Sequence, residues 1–115
     1  MKLIFNNQVY VVNTEDNSLV TSFEKMLPLT LRLSRSAEHE YYTSLPAKIT
    51  VEGAEITSHV NAGWVYYFED WNAIALNFKE TDISPYKVCV VGRISGGLEK
   101  ILSEWGSVIE IKIEE

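Results

Sequence analysis

One cysteine, Cys89, stands in a chain of 115 residues. That excludes an internal disulfide, and with it the small secreted scaffolds held by several of them; a reducing cytoplasm is the expected compartment. Positive charge is scarce too. Lys and Arg total 10 against 16 Asp and Glu, for a net charge of −6, and no basic cluster is visible. Nucleic-acid recognition requires a Lys/Arg stripe to neutralise phosphates, so that class is excluded, and anionic membrane surfaces are disfavoured. The acidic balance serves solubility. No apolar run approaches the ~20 residues that span a bilayer. The segment MKLIFNNQVYVVN has one lysine and then a polar break, unlike a signal peptide. Linkers, repeats and low-complexity tracts are missing.

What is present is an ordinary globular composition, 46% hydrophobic and 23% charged. A single domain over residues 1–115 is expected, able to bury roughly two thirds of its unfolded surface. Residues 2–5 and 8–12 read as a hairpin, with Asn6-Asn7 as a two-residue turn because Asn tolerates positive φ. A helix is expected over about 15–26, capped by Asn13 or Thr14, with Leu19, Val20, Phe23, Met26 and Leu27 on one face and Pro28 as its stop. Leu29, Leu31 and Leu33 alternate with Thr30 and Arg32 as a half-buried strand. Short strands follow at about 41–44 and 47–51, and 53–62 reads as a loop.

Gly63 to Phe78, GWVYYFEDWNAIALNF, reads as two strands turning at Asp70, Trp71 and Asn72. Residues 79–86 are loop, and 86–94 a strongly β-branched strand. A second helix is expected at about 96–105, with Ser95 as cap, Leu98, Ile101, Leu102 and Trp105 on its apolar face, and Gly106 as its stop. Ile109, Ile111 and Ile113 alternate in a last strand. About eight short strands and two helices around one small core argue for a closed β-barrel, since closure removes aggregation-prone edges, with the helices plugging its ends.

Three pieces then carry a resemblance: SFEKMLPLTLRL, EYYTSLP and VCVVGRISGGLEKILSEWG. In this order and spacing the chain resembles the small microbial cyclophilin-like β-barrel family over nearly its whole length. The resemblance implies an eight-stranded barrel with two short helices capping the ends, and little about activity. Prolyl isomerases of this fold carry an arginine within Phe-His-Arg-Ile-Ile-Pro. The matching stretch here is Tyr41-Tyr42-Thr43-Ser44-Leu45-Pro46, which puts Thr43 at that place. Their Gln-Gly-Gly-Asp-Phe is matched by Ala62-Gly63-Trp64-Val65. The catalytic residues of those isomerases are absent by position.

Aromatic residues are the most suggestive feature. Tyr41, Tyr42, Trp64, Tyr66, Tyr67, Phe68 and Trp71 fall within about thirty residues. Strand alternation puts Trp64, Tyr66 and Phe68 on one face and Val65, Tyr67 and Glu69 on the other; which face is inward stays open. These rings serve either cross-strand packing or an exposed ligand surface, and Trp71 at the bend is the ring most expected in solvent. Arg32, flanked by Leu31 and Leu33, stands outward, either to bind a carboxylate or carbonyl oxygen or as a solvated surface group. His39 and His59 match no zinc spacing with Glu38, Glu40 or Cys89, and Cys89 alternates with buried valines, so no metal, cofactor or nucleophile is expected. Gly92 to Gly97 reads as a tight strand-to-helix connection or an anion-binding turn.

Two functions follow. The first is a non-catalytic module binding a peptide or small molecule through Arg32, Tyr41, Tyr42, Trp64, Tyr66, Phe68, Trp71 and Asn72. The second is a weak or divergent peptidyl-prolyl isomerase, with Arg32 supplying the donor. A monomer or weak homodimer is expected.

Overall fold

Asn6 and Asn7 both take the left-handed backbone, at φ 51° and 64°. Two such residues in succession twist a chain reversal in the sense that strands themselves twist. They join β1 (Lys2–Phe5) to β2 (Gln8–Thr14), as their sequence requires. The computed structural model describes all 115 residues, 1–115. In chain order there follow α1 (Ser18–Glu24), β3 (Leu29–Ser36), β4 (Glu40–Ser44), β5 (Ile56–Thr57), β6 (His59–Val60), β7 (Trp64–Phe68), β8 (Ala73–Asn77), β9 (Thr81–Asp82), β10 (Val88–Ile94), α2 (Leu98–Ser103) and β11 (Val108–Glu114).

The strands pair antiparallel in the order β2-β1-β11-β3-β4-β8-β7-β10, and β10 pairs back onto β2. This is a closed, eight-stranded, mainly β barrel. Closure depends on Gly92: a Cβ there would stand 2.7 Å from the Asn13 carbonyl oxygen and 2.9 Å from Val12 Cγ1. Only a residue without a side chain lets β10 come this close to β2. Because β2 and β10 are antiparallel, their C-terminal ends lie at opposite ends of the barrel. The helix that follows each one closes that end.

Asn17, and not Asn13 or Thr14, caps α1: its side-chain oxygen accepts from the Val20 N–H at 3.0 Å. A seven-residue helix does not hold itself in water. Burial of Leu19, Val20 and Phe23 in the barrel mouth holds it, at about 1.5–3 kcal/mol for each side chain fully removed from water. At α2 the N-cap is Gly97, at φ 78°, and not Ser95. The Ser95 hydroxyl instead accepts from Asn13 Nδ2 at 2.8 Å. Leu98 and Leu102 are buried, while Ile101 and Trp105 stay partly exposed; Trp105 meets Phe5 edge-on at 4.9 Å. Arg35 fastens the far end of α2 by donating to the Leu102, Ser103 and Trp105 carbonyls, and lies over the Phe78 ring.

The expected strand at 47–51 is not formed; Ile49 is nonetheless buried under the barrel end. The 53–62 and 79–86 segments, read as loops, each carry two-residue strands. β6 pairs with β9, and β5 adds to the edge of β10. These segments cover one stretch of the barrel's outside. There Val60, Tyr66, Ala75 and Val88 form a small second core, separate from the 23 buried residues of the interior. The inward face of β7 is thereby fixed: Val65 and Tyr67 point in, and Trp64, Tyr66 and Phe68 point out.

Candidate functional site

β4 presents Glu40, Tyr42 and Ser44 outward, on alternate residues. Its neighbour β8 presents Ala73, Ala75 and Asn77 in the facing register, Ser44 to Ala73 and Glu40 to Asn77. The two alanines keep this face low. Around it rise the turn at 36–39, the turn at 69–72 and the loop at 83–86. The result is a hollow of about 420 Å³ lined by Ser36, Ala37, His39, Glu40, Tyr42, Ser44, Phe68, Trp71, Ala73, Ile83 and Tyr86. Phe68, Trp71 and Tyr86 form a chain of rings with centroids 5.3 and 5.5 Å apart. The same three rings border a second hollow of about 310 Å³ that includes Ile56, Glu69, Asp70 and Lys87.

A polar cluster forms the floor. Asn77 Nδ2 donates to the carbonyls of Asn61 and Lys79 at 3.0 and 2.9 Å, which fixes its oxygen as an acceptor. His39 Nδ1 lies 2.8 Å from that oxygen and is therefore the donor. Nε2 of His39 makes no hydrogen bond within the chain. Tyr66 donates its hydroxyl to Glu40 Oε1 at 2.5 Å. Burial and the adjacent Glu40 push the Tyr66 phenol far above its ordinary value, so it stays a donor. Burial likewise raises the Glu40 carboxyl above the usual range, against the opposing pull of the Tyr66 hydrogen bond and His39. Cys89 is buried in the interior and its thiol is pushed up by burial, which makes it a poor nucleophile. No group of three or more His, Cys, Asp or Glu residues is placed to hold a metal ion, and no helix is long and apolar enough to cross a membrane.

The eight residues expected at a site do not share one surface. Tyr42, Phe68 and Trp71 line the hollow, and Tyr66 lies beneath it. Tyr41 points into the barrel, fully buried, and donates to the Gly106 carbonyl at 2.6 Å. Asn72 sits at φ 48°; its side chain accepts from Tyr67 at 2.6 Å and donates to the Leu45 carbonyl at 3.2 Å, so it ties the turn together. Trp64 lies at the other end of β7 with the Arg93 guanidinium stacked 4.6 Å over its ring. Arg32 is exposed on β3 opposite Glu110 and is not part of the lining.

The cyclophilin-like family model matches residues 3–114. This chain belongs to the cyclophilin-like family. Its fold is similar to the solution structure of the hypothetical protein AF2241 from Archaeoglobus fulgidus, with a TM-score of 0.65 at 23% identity, over 98% of this chain and 91% of that one. No curated protein sequence matches. In this cyclophilin-like barrel Thr43, at the arginine position of the isomerase pattern, is half-buried and pairs with Ile74 on the inward side of β4. No arginine or lysine lines the larger hollow.

His39, Glu40, Ile83 and Tyr86 belong to the site but are not singled out by sequence, except as a metal set for the first two. Alternation from Tyr42 offers a signal for Glu40, since residues two apart share a strand face. Nothing local marks Tyr86, which a loop carries back over β7.

Proposed function

We propose that this cyclophilin-like chain is a non-catalytic binding module that holds a peptide segment or small molecule on the outer face of β4, β7 and β8. One observation carries the reading: the hollow is rimmed by three large rings left substantially in solvent, Trp71 and Tyr86 at 55% exposure and Tyr42 at 43%. Rings that converge on a concavity with a few fixed polar groups are the usual make-up of a ligand site. Tyr66 supports the floor and Phe68 the wall. Arg32 stands outside as a peripheral polar contact at most. Tyr41, Trp64 and Asn72 serve the frame.

Short X-Pro peptides and small aromatic or amide ligands, followed by tryptophan fluorescence, test this. Trp71→Ala is expected to weaken binding by about tenfold or more, as a central anchor does, and Trp64→Ala to leave it unchanged. If Trp71→Ala left the binding of every detectable ligand intact, the assignment would fail. Exchange spectra of the peptide's cis and trans forms cover the isomerase alternative: exchange at catalytic protein levels, lost in Arg32→Ala, would replace the binding reading with that one.

A further inference from the structure

Resting on the reading of this hollow as a ligand site, we propose that it takes an organic ammonium group, held among the Trp71, Tyr86 and Tyr42 rings and paired with the free carboxylate oxygen of Glu40. Glu40 is only 7% exposed. Its Oε1 accepts from Tyr66, while its Oε2 receives no hydrogen bond from any protein group. That oxygen is open to the hollow and not sealed beneath it, so when Glu40 is ionised a cation that enters meets its charge where water is scarce. The lining offers no resident cation, since it contains neither lysine nor arginine. Four aromatic rings, Tyr42, Phe68, Trp71 and Tyr86, surround the same space, and a cation over an aromatic face is favoured most where water is excluded.

The single free oxygen also selects the kind of cation. A guanidinium binds a carboxylate best through two parallel hydrogen bonds, and Tyr66 has taken one of the two oxygens. An ammonium group is a compact charge that pairs with a single oxygen, and a quaternary one does so by charge alone, without a hydrogen bond. The surroundings favour the same sign: Glu69 and Asp70 border the neighbouring hollow, and the chain carries a net charge of −6.

Glu40 is faced by Tyr66 of β7, Asn77 of β8 and His39 of the turn before β4, with Tyr86 on the loop above. Ionisation of Glu40 attracts an ammonium group, so affinity rises with pH as the carboxyl ionises.

The test uses the full chain, with choline as probe and its neutral carbon isostere, in which a tert-butyl group replaces the trimethylammonium, as control. Amide shifts in NMR spectra report both. Choline is expected to give saturable shifts in residues 36–44, 68–73 and 83–86, with affinity at least about tenfold above the isostere. Glu40→Gln should bring choline down to the isostere's level and leave the isostere unchanged. If that variant does not fold, wild-type choline affinity between about pH 5 and pH 8 replaces it: a rise supports the proposal, and a flat or falling profile overturns it. Equal affinities for choline and isostere overturn the ammonium specificity and leave the hollow a ligand site. Absence of choline shifts in the hollow also overturns it, while the Trp71→Ala peptide measurement judges the broader reading separately.

Discussion

Single side chains set the chemistry of the outer face, and Asn77 sets most of it. With its amide spent on two carbonyls, it orients His39, and the pair flank a carboxyl that Tyr66 holds from below. Glu40 has a raised value in the folded chain, so the fold favours its protonated form. Its contribution to stability is therefore fully present below the ordinary carboxylate range and lost as pH rises through the folded value. Glu40→Gln mimics the protonated acid and keeps an acceptor for Tyr66. It should stabilise the protein at pH 7 to 8 and give no gain below the ordinary carboxylate range. Urea unfolding at both pH values measures this; equal effects at the two would contradict it. Glu40 was legible as outward-facing from its alternation with Tyr42. Its burial was not, because that comes from Tyr66 and the 83–86 loop, both remote in sequence.

At the scale of elements, local chemistry was read well where it was complete in itself and poorly where a distant partner decided. Asn6-Asn7 makes its own turn, and the isoleucines of β11 show their own alternation. β10 instead breaks period two. Val90 pairs with Tyr66 and Gly92 with Val65, which leaves Val91 as an extra, bulged residue. Cys89 and Val91 point inward, and the bulge then turns Arg93 outward onto Trp64, where strict alternation would bury it. Next to that bulge, Gly92→Ala should destabilise by about 1–3 kcal/mol, the usual cost of overpacking, as read from the urea midpoint; an unchanged midpoint would mean that the β2–β10 seam is slack. The turn between β3 and β4 carries the opposite liability. Ala37 and Glu38 both take the left-handed backbone, at φ 52° and 57°, without the side chains that suit it. Ala37→Asn with Glu38→Gly should therefore stabilise by about 1 kcal/mol or more. Arg35 ties α2 to this end, and Arg35→Ala should lower the thermal midpoint and speed amide exchange in 98–105 before the barrel strands respond.

The whole molecule is a closed barrel with one patch of its outside roofed by two long connections. The barrel was legible, since eight alternating strands with two short amphipathic helices leave few other arrangements, and the family resemblance pointed to the same one. The roof was not. Residues 53–62 and 79–86 read as loops, and only the pairing of β6 with β9 shows that they lie together over Tyr66 and Ala75. The aromatic cluster was visible as composition, but closure divides it. Tyr41 and Tyr67 go to the interior, Tyr66 goes under the roof, Trp64 goes beneath Arg93, and Tyr42, Phe68 and Trp71 meet Tyr86 around the hollow. The most direct test of the account is an amide-shift map of the labelled protein titrated with a lysine-containing X-Pro peptide. The account predicts saturable shifts confined to 36–44, 68–73 and 83–86. Shifts centred on Trp64 and Arg32, or on the exposed Val9 and Val11 of β2, would place ligand binding elsewhere on the barrel and contradict it.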